Sequence, residues 1–186
     1  MGIMWNHTLT AGQAAQAPGD WPAASHFQPA SDQATVLMWC HPRCPCTRAS
    51  LEELSELVQR TRGRALVQVN FVRPPGLSLQ WVQGALWRQA EAIPGVRVVV
   101  DDGSEARRFG VRTSGQALIF GRDQRLLFSG GLTSGRGHEG DNEGLAAAAR
   151  LAGSGTGSFE RSPVFGCSLF DSAETRDAAA LQEGRR

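Results

Sequence analysis

Thr35-Val36-Leu37-Met38-Trp39 runs directly into Cys40-His41-Pro42-Arg43-Cys44-Pro45-Cys46, and residues 47–62 follow without a break. The first stretch is short, apolar and rich in strand formers. The last carries Leu51, Leu54, Leu57 and Val58 at helical spacing. Three of the chain's four cysteines therefore fall where a strand hands over to a helix. A thiol at a helix N-terminus faces unpaired N–H groups and the positive end of the helix dipole. That setting favours the thiolate, the form that attacks disulfides and binds soft metals. Pro45 suits the first helical turn, where its missing N–H would have no partner anyway.

Outward from this junction the strand and helix signals alternate. Residues 65–71 (ALVQVNF) form a second strand, closed by Arg73-Pro74-Pro75-Gly76. Ser78 caps a predicted helix whose apolar face is Leu79, Val82, Leu86, Ala90 and Ile93. Pro94-Gly95 ends it, and residues 96–100 are a third strand. Residues 104–109 make a short helix, and 117–120 with 126–128 a hairpin. A last helix spans 142–152, capped by Asp141 or Asn142. Residues 153–158 (GSGTGS) read as a flexible linker to a tail that contains Cys167. Residues 1–31, with Pro18, Pro22 and Pro29, read as an arm that Trp21 and Phe27 pin to the body.

The spacing of the thiols limits their pairing. Residues i and i+2 of a helix point about 200° apart, so Cys44 and Cys46 bond only if Cys44 lies outside the first turn. Pro45 disfavours helical geometry at Cys44, which permits that. So small a ring would be strained and easily reduced, giving an oxidant or isomerase-like centre. Cys167 is a second partner. Sixteen residues separate it from Leu151, and a flexible segment of that length spans roughly 22 Å. The body has a radius of gyration of ~14 Å, so the tail reaches the helix start.

Composition narrows the function. A chain of 186 residues buries a sufficient core without disulfide staples, and three clustered thiols with one distant thiol make a poor structural framework. The net charge of +1 gives no electrostatic case for nucleic acid, and the five tryptophans form no stacking array. All nineteen basic residues are arginine, a habit of composition more than a phosphate-binding device. No apolar run is long enough to cross a bilayer, and the N-terminus lacks a signal peptide. The default compartment is the cytoplasm; a missing N-terminal anchor would make it the periplasm.

The element order, with cysteines leading into the first long helix, resembles the thioredoxin-like fold over residues 32–153. More narrowly, His41-Pro42-Arg43-Cys44-Pro45-Cys46-Thr47-Arg48-Ala49-Ser50 resembles the active-site segment of RedB-like thioredoxin-fold proteins. Gly130 to Thr133, Arg136-Gly137-His138, Gly140-Asp141-Asn142 and residues 163–167 (PVFGC) resemble further pieces of that pattern. The chain departs from ordinary thioredoxins in two places. Cys-x-x-Cys is replaced by Cys44-Pro45-Cys46, and Thr113-Ser114-Gly115 stands where a cis-proline is expected.

The resemblance implies an α/β fold, a three-layer α/β/α sandwich with a mixed central sheet. It is flanked by the arm (1–31) and by the linker and cysteine-bearing tail (154–186). The activity implied is thiol–disulfide redox chemistry without an organic cofactor, its electrons exchanged with a thiol or disulfide protein partner or reductant. Cys44 or Cys46 is the nucleophile and the other its partner, with Cys167 as a further candidate for the resolving thiol, a mechanism open to peroxidase-like thioredoxin folds. A binding module is the alternative. Cys40-x-x-x-Cys44-Pro45 resembles the motif of Sco-type copper chaperones, and His138 from a later loop would complete a set of Cys40, Cys44 and His138. Such a set suits copper, and three or four thiolates suit zinc. A catalytically silent scaffold is the third reading. Single residues have plainer roles as well: Cys40 as a small buried hydrophobe, His41 as packing, His138 as a loop residue, Arg48 as a solvated arginine.

Overall fold

The computed structural model describes residues 10–12 and 16–170. The rest of the arm, with the N-terminus read for an export signal, and the tail beyond 170 lie outside the described residues. The junction folds as its pattern requires. β1 (Ala34–Cys40) is buried along its whole length. Its residues divide between two cores: Val36, Met38 and Cys40 face one, Leu37 and Trp39 the other. A strand covered on both faces reads as a continuous apolar run. α1 (Thr47–Thr61) buries Leu51, Leu54 and Leu57 against the first core.

β2 (Ala65–Val72) lies parallel to β1, and β3 (Val96–Asp101) parallel to β2. Between them the single helix expected from Leu79 to Ile93 is two short ones, α2 (Leu79–Val82) and α3 (Ala85–Glu91). Gly84, a poor helix former, stands at the break as the cap of α3. Ser78 caps α2 as expected, accepting from the Trp81 amide. α4 (Ser104–Arg108) follows β3. β4 (Gln116–Phe120) and β5 (Leu126–Gly130) form the expected hairpin, with β4 antiparallel to β1. α5 (Glu143–Ser154) is capped by Asn142, whose Oδ1 accepts from the Leu145 amide at 2.9 Å.

α5 takes in the first two residues of the expected linker. Gly155 closes the helix with φ +68°, and its carbonyl accepts from Arg122 N. The chain then adds β6 (Glu160–Arg161), parallel to β5, which no sequence pattern indicates. The sheet is thus six-stranded and mixed, in the order β3-β2-β1-β4-β5-β6. α1, α3 and α5 pack on one face. The other face is covered by α4, the loop residues Phe109 and Val111, the arm and Leu169 of the tail. Trp21 and Phe27 pin the arm as expected. Trp21 meets Phe109 and Phe120 edge-on, and Phe27 lies over Phe109 and beside Trp39. No described helix is long and apolar enough to cross a membrane.

Candidate active site

Cys44 lies in the turn between β1 and α1, outside the helix, with its N–H donating to the His41 carbonyl. Cys46 caps α1 with helical dihedrals and no side-chain cap bond, and the first turn holds no acidic residue. The positive end of the helix is therefore left unneutralised beside the thiols.

The distant thiol arrives along the sheet. After β6, residues 163–169 run past the end of the β1–β4 pair, and the Gly131 amide donates to the Pro163 carbonyl. Ser114 N–H donates to Cys167 O at 2.8 Å, and Leu169 N–H donates to Arg112 O at 2.9 Å, flanking an antiparallel bridge between Thr113 and Ser168. The fit is close. A Cβ added to Gly166 would lie 1.9 Å from the Ser114 carbonyl oxygen. Arg136 holds the same turn from the other side, donating from Nη1 to Gly166 O at 2.8 Å.

This places Cys167 Sγ 2.8 Å from Cys44 Sγ. All four cysteines are free thiols. A disulfide bond is about 2.05 Å long, so the two sulfurs need to close by only about 0.8 Å. The Cys44 sulfur also accepts from the backbone N–H of Cys167 at 3.4 Å. Thr47, next to the thiols at the start of α1, is fixed by Ser114 Oγ at 2.8 Å. The Cys167 contacts and the helix start together favour the Cys44 thiolate.

The thiols titrate accordingly. The Cys167 hydrogen bond, above all, lowers the Cys44 pKa from 9.0 to about 5, against the opposing effect of burial. The same bond, then burial, pushes Cys167 far up. The pair thus holds one proton between its two sulfurs. Burial and then the Cys44 charge raise Cys46, against a hydrogen bond and charge from Arg136. Burial and the Cys44 charge also raise Cys40.

Cys44 is 1 % exposed, Cys46 9 % and Cys167 half-buried. Cys44, Cys46 and Cys167 thus gather at one end of the sheet. The sulfur in direct contact with Cys44 Sγ is that of Cys167, while Cys46 stands at the cap of α1. Cys40 is fully buried among Val36 and Met38, the small-hydrophobe role. His41 packs edge-on against Trp81, and Arg48 is exposed.

The metal set of Cys40, Cys44 and His138 is not assembled. Among the described residues no group of three or more His, Cys, Asp or Glu is arranged to hold an ion. His138 is exposed in a turn closed on Gly135, and Cys40 faces the core. The residues that sequence reasoning missed are Arg136, Thr47 and Ser114. All three act through contacts across the fold; each lay in a segment singled out for its resemblance or departure, and none of those segments named it as a site residue.

No family model matches the chain, and no curated protein resembles it in sequence. Solved structures do resemble it. An uncharacterized conserved protein of Geobacillus kaustophilus superposes with a TM-score of 0.61 at 19 % identity, covering 89 % of this chain and 94 % of its own. A hypothetical protein of Sinorhizobium meliloti 1021 gives 0.60 at 16 % identity, covering 88 % and 97 %. A secreted disulfide oxidoreductase of Mycobacterium tuberculosis gives 0.49 at 14 % identity, covering 65 % and 83 %, too distant to speak to function. At such identities the likeness is one of fold. With this sheet order, the chain has the thioredoxin-like fold.

Proposed function

We propose that the protein is a thiol–disulfide redox protein whose working pair is Cys44 and Cys167. The observation that carries this reading is the 2.8 Å contact between the two sulfurs, made by residues 123 positions apart. Cys44 is the nucleophile: its thiolate persists at neutral pH, with its pKa lowered to about 5 chiefly by Cys167. When it attacks a partner disulfide, one partner sulfur leaves and Cys44 becomes mixed-disulfide bonded. Cys167 then attacks Cys44 Sγ, releases the second partner sulfur and closes the intramolecular bond. Two electrons pass to the partner. A thiol donor recharges the protein by reducing the Cys44–Cys167 bond. Cys46 is not the resolving thiol. The likeness of residues 41–50 to RedB-like proteins supports the reading at the level of the motif.

The test is site-by-site mass spectrometry of alkylated thiols after equilibration in a graded, metal-free glutathione series. A reversible Cys44–Cys167 bond is expected, with Cys40 alkylated only after unfolding and Cys46 reduced throughout. Four thiols that stay free and independent across the series overturn the oxidoreductase reading. A Cys44–Cys46 bond overturns the pairing.

A further inference from the structure

The two sulfurs of the pair differ in access and in what holds them. Cys44 is 1 % exposed, covered by the tail, with its sulfur bonded to the Cys167 thiol and N–H. Cys167 is half-buried and reaches the site from an edge segment held by two backbone hydrogen bonds to residues 112 and 114. Cys46, 9 % exposed, lies under Arg136. Of the gathered cysteines, Cys167 is the most exposed residue.

We infer that an outside thiol enters the oxidised pair at Cys167, on the tail, and that Cys44 is the leaving group. This rests on the Cys44–Cys167 pairing proposed above. Two independent factors choose the sulfur in thiol–disulfide exchange: access to the sulfur attacked, and the stability of the thiolate expelled. Both select the same direction here. Attack at Cys167 meets the more exposed residue and releases Cys44 beside the Cys167 N–H and the unneutralised N-terminus of the helix. Attack at Cys44 would need the tail to lift, and would expel Cys167, whose sulfur has Cys44 alone as a hydrogen-bond partner among the described residues.

The step balances. The donor thiolate attacks Cys167 Sγ, the Cys44–Cys167 bond breaks, and its electron pair leaves on Cys44 as a thiolate. A second donor thiolate attacks the donor sulfur of the mixed disulfide, forms the donor disulfide and expels Cys167, which takes a proton. The protein gains two electrons and one proton, and the donor pair is oxidised. The face offered to a reductant is consequently the tail around Phe165 to Ser168, and the start of α1 is not.

The direction can be read with glutathione as the donor. The full-length Cys46→Ser chain, in which the third thiol cannot scramble the adduct, is oxidised and then mixed with reduced glutathione. Iodoacetamide is present to trap whichever thiol is released. Acid quenching and peptide mapping follow. The expected product carries glutathione on Cys167 and carbamidomethyl on Cys44, at least about tenfold over the reverse product. Glutathione on Cys44, or the two products in similar amounts, overturns the inference while the pairing stands. If the starting chain holds no Cys44–Cys167 bond, the pairing itself fails and the inference falls with it.

Discussion

Cys44 and Cys167 meet at one point but are delivered by different kinds of structure. Cys44 sits in a proline turn between a buried strand and a helix start, all contiguous in sequence. Cys167 is delivered by a two-residue strand, two backbone hydrogen bonds to the loop before β4, one arginine and a glycine packed against a carbonyl. The first region is made by local pattern and a large apolar core. The second is made by long-range contacts on a sheet edge, each worth on the order of 1 kcal/mol. A thiolate seated in a rigid frame, with its resolving partner on a lightly held strap, is an arrangement in which the strap can move and the nucleophile cannot.

The strongest way to break the comparison is to remove one sulfur at a time. Cys44→Ser and Cys167→Ser should each drop dithiol cycling with glutathione to background. Cys46→Ser should keep most of it, because the resolving sulfur remains. Cys44→Ser removes the nucleophile. Cys167→Ser leaves a reactive Cys44 that accumulates as a stable glutathione adduct, seen as an added mass on that residue. Equal loss in Cys46→Ser and Cys167→Ser would return the pairing to the Cys-Pro-Cys segment.

What could be read from the chain follows the same divide. The strand 34–40, the helix from 47 and the cysteines between them are legible because each rests on local periodicity, and because Pro45 states where helical geometry begins. The reach of Cys167 was legible as chain length alone. Its destination was not. β6 is two residues long, and its pairing depends on an edge of β5 that no pattern in residues 160–161 reveals. Arg136 stands in a glycine-rich loop with no periodicity, so its bond to Gly166 has no local signature. The helix expected over 79–93 failed for a similar reason: its apolar face is real, but Gly84 breaks the backbone beneath it.

Displacing the strap while keeping both sulfurs should have the next largest effect. In Gly166→Ala the new methyl meets the Ser114 carbonyl at 1.9 Å, so the tail must shift, at a cost of about 1–3 kcal/mol. Oxidation of the reduced protein should slow by roughly tenfold or more, in line with ~1.4 kcal/mol per decade. The Cys44 pKa should rise as its largest supporting bond lengthens. Thermal unfolding should move less, because the two cores are untouched. An oxidation rate equal to wild type would show that the tail docks by some other contact.

Titration sharpens the comparison without a mutation. Between about pH 5 and pH 9 the reduced pair holds one proton, so the midpoint potential should fall by about 30 mV per pH unit. An ordinary dithiol would show about 59 mV per unit up to the thiol range. The sign for stability follows from the same directions. The lowered pKa of Cys44 gives the reduced fold a contribution that is complete above pH 9 and disappears as pH falls to about 5. The raised pKa of Cys167 gives a contribution that is present below pH 9 and lost above it. Reduced protein should therefore gain stability from pH 5 towards 9 and lose it beyond. Denaturant midpoints of the reduced and Cys44→Ser chains across that range would show it.

Arg136 offers the smallest and most discriminating effect, because it touches both regions. Its Nη1 holds Gly166 O, on the strap, and its charge opposes the rise of the Cys46 pKa, at the frame. Arg136→Gln should weaken the hold on the tail by about 1–2 kcal/mol. It should also raise the pKa of Cys46 further, because the cation beside that sulfur is gone. A lysine at 136 keeps the charge and loses the planar fork that bonds the carbonyl and the thiol together. It should restore the Cys46 titration, followed by alkylation rate against pH, and leave oxidation as slow as in the glutamine variant. If lysine rescues both, Arg136 acts by charge alone and the strap does not depend on its hydrogen bond. If it rescues neither, the arginine's shape is what joins the strap to the frame.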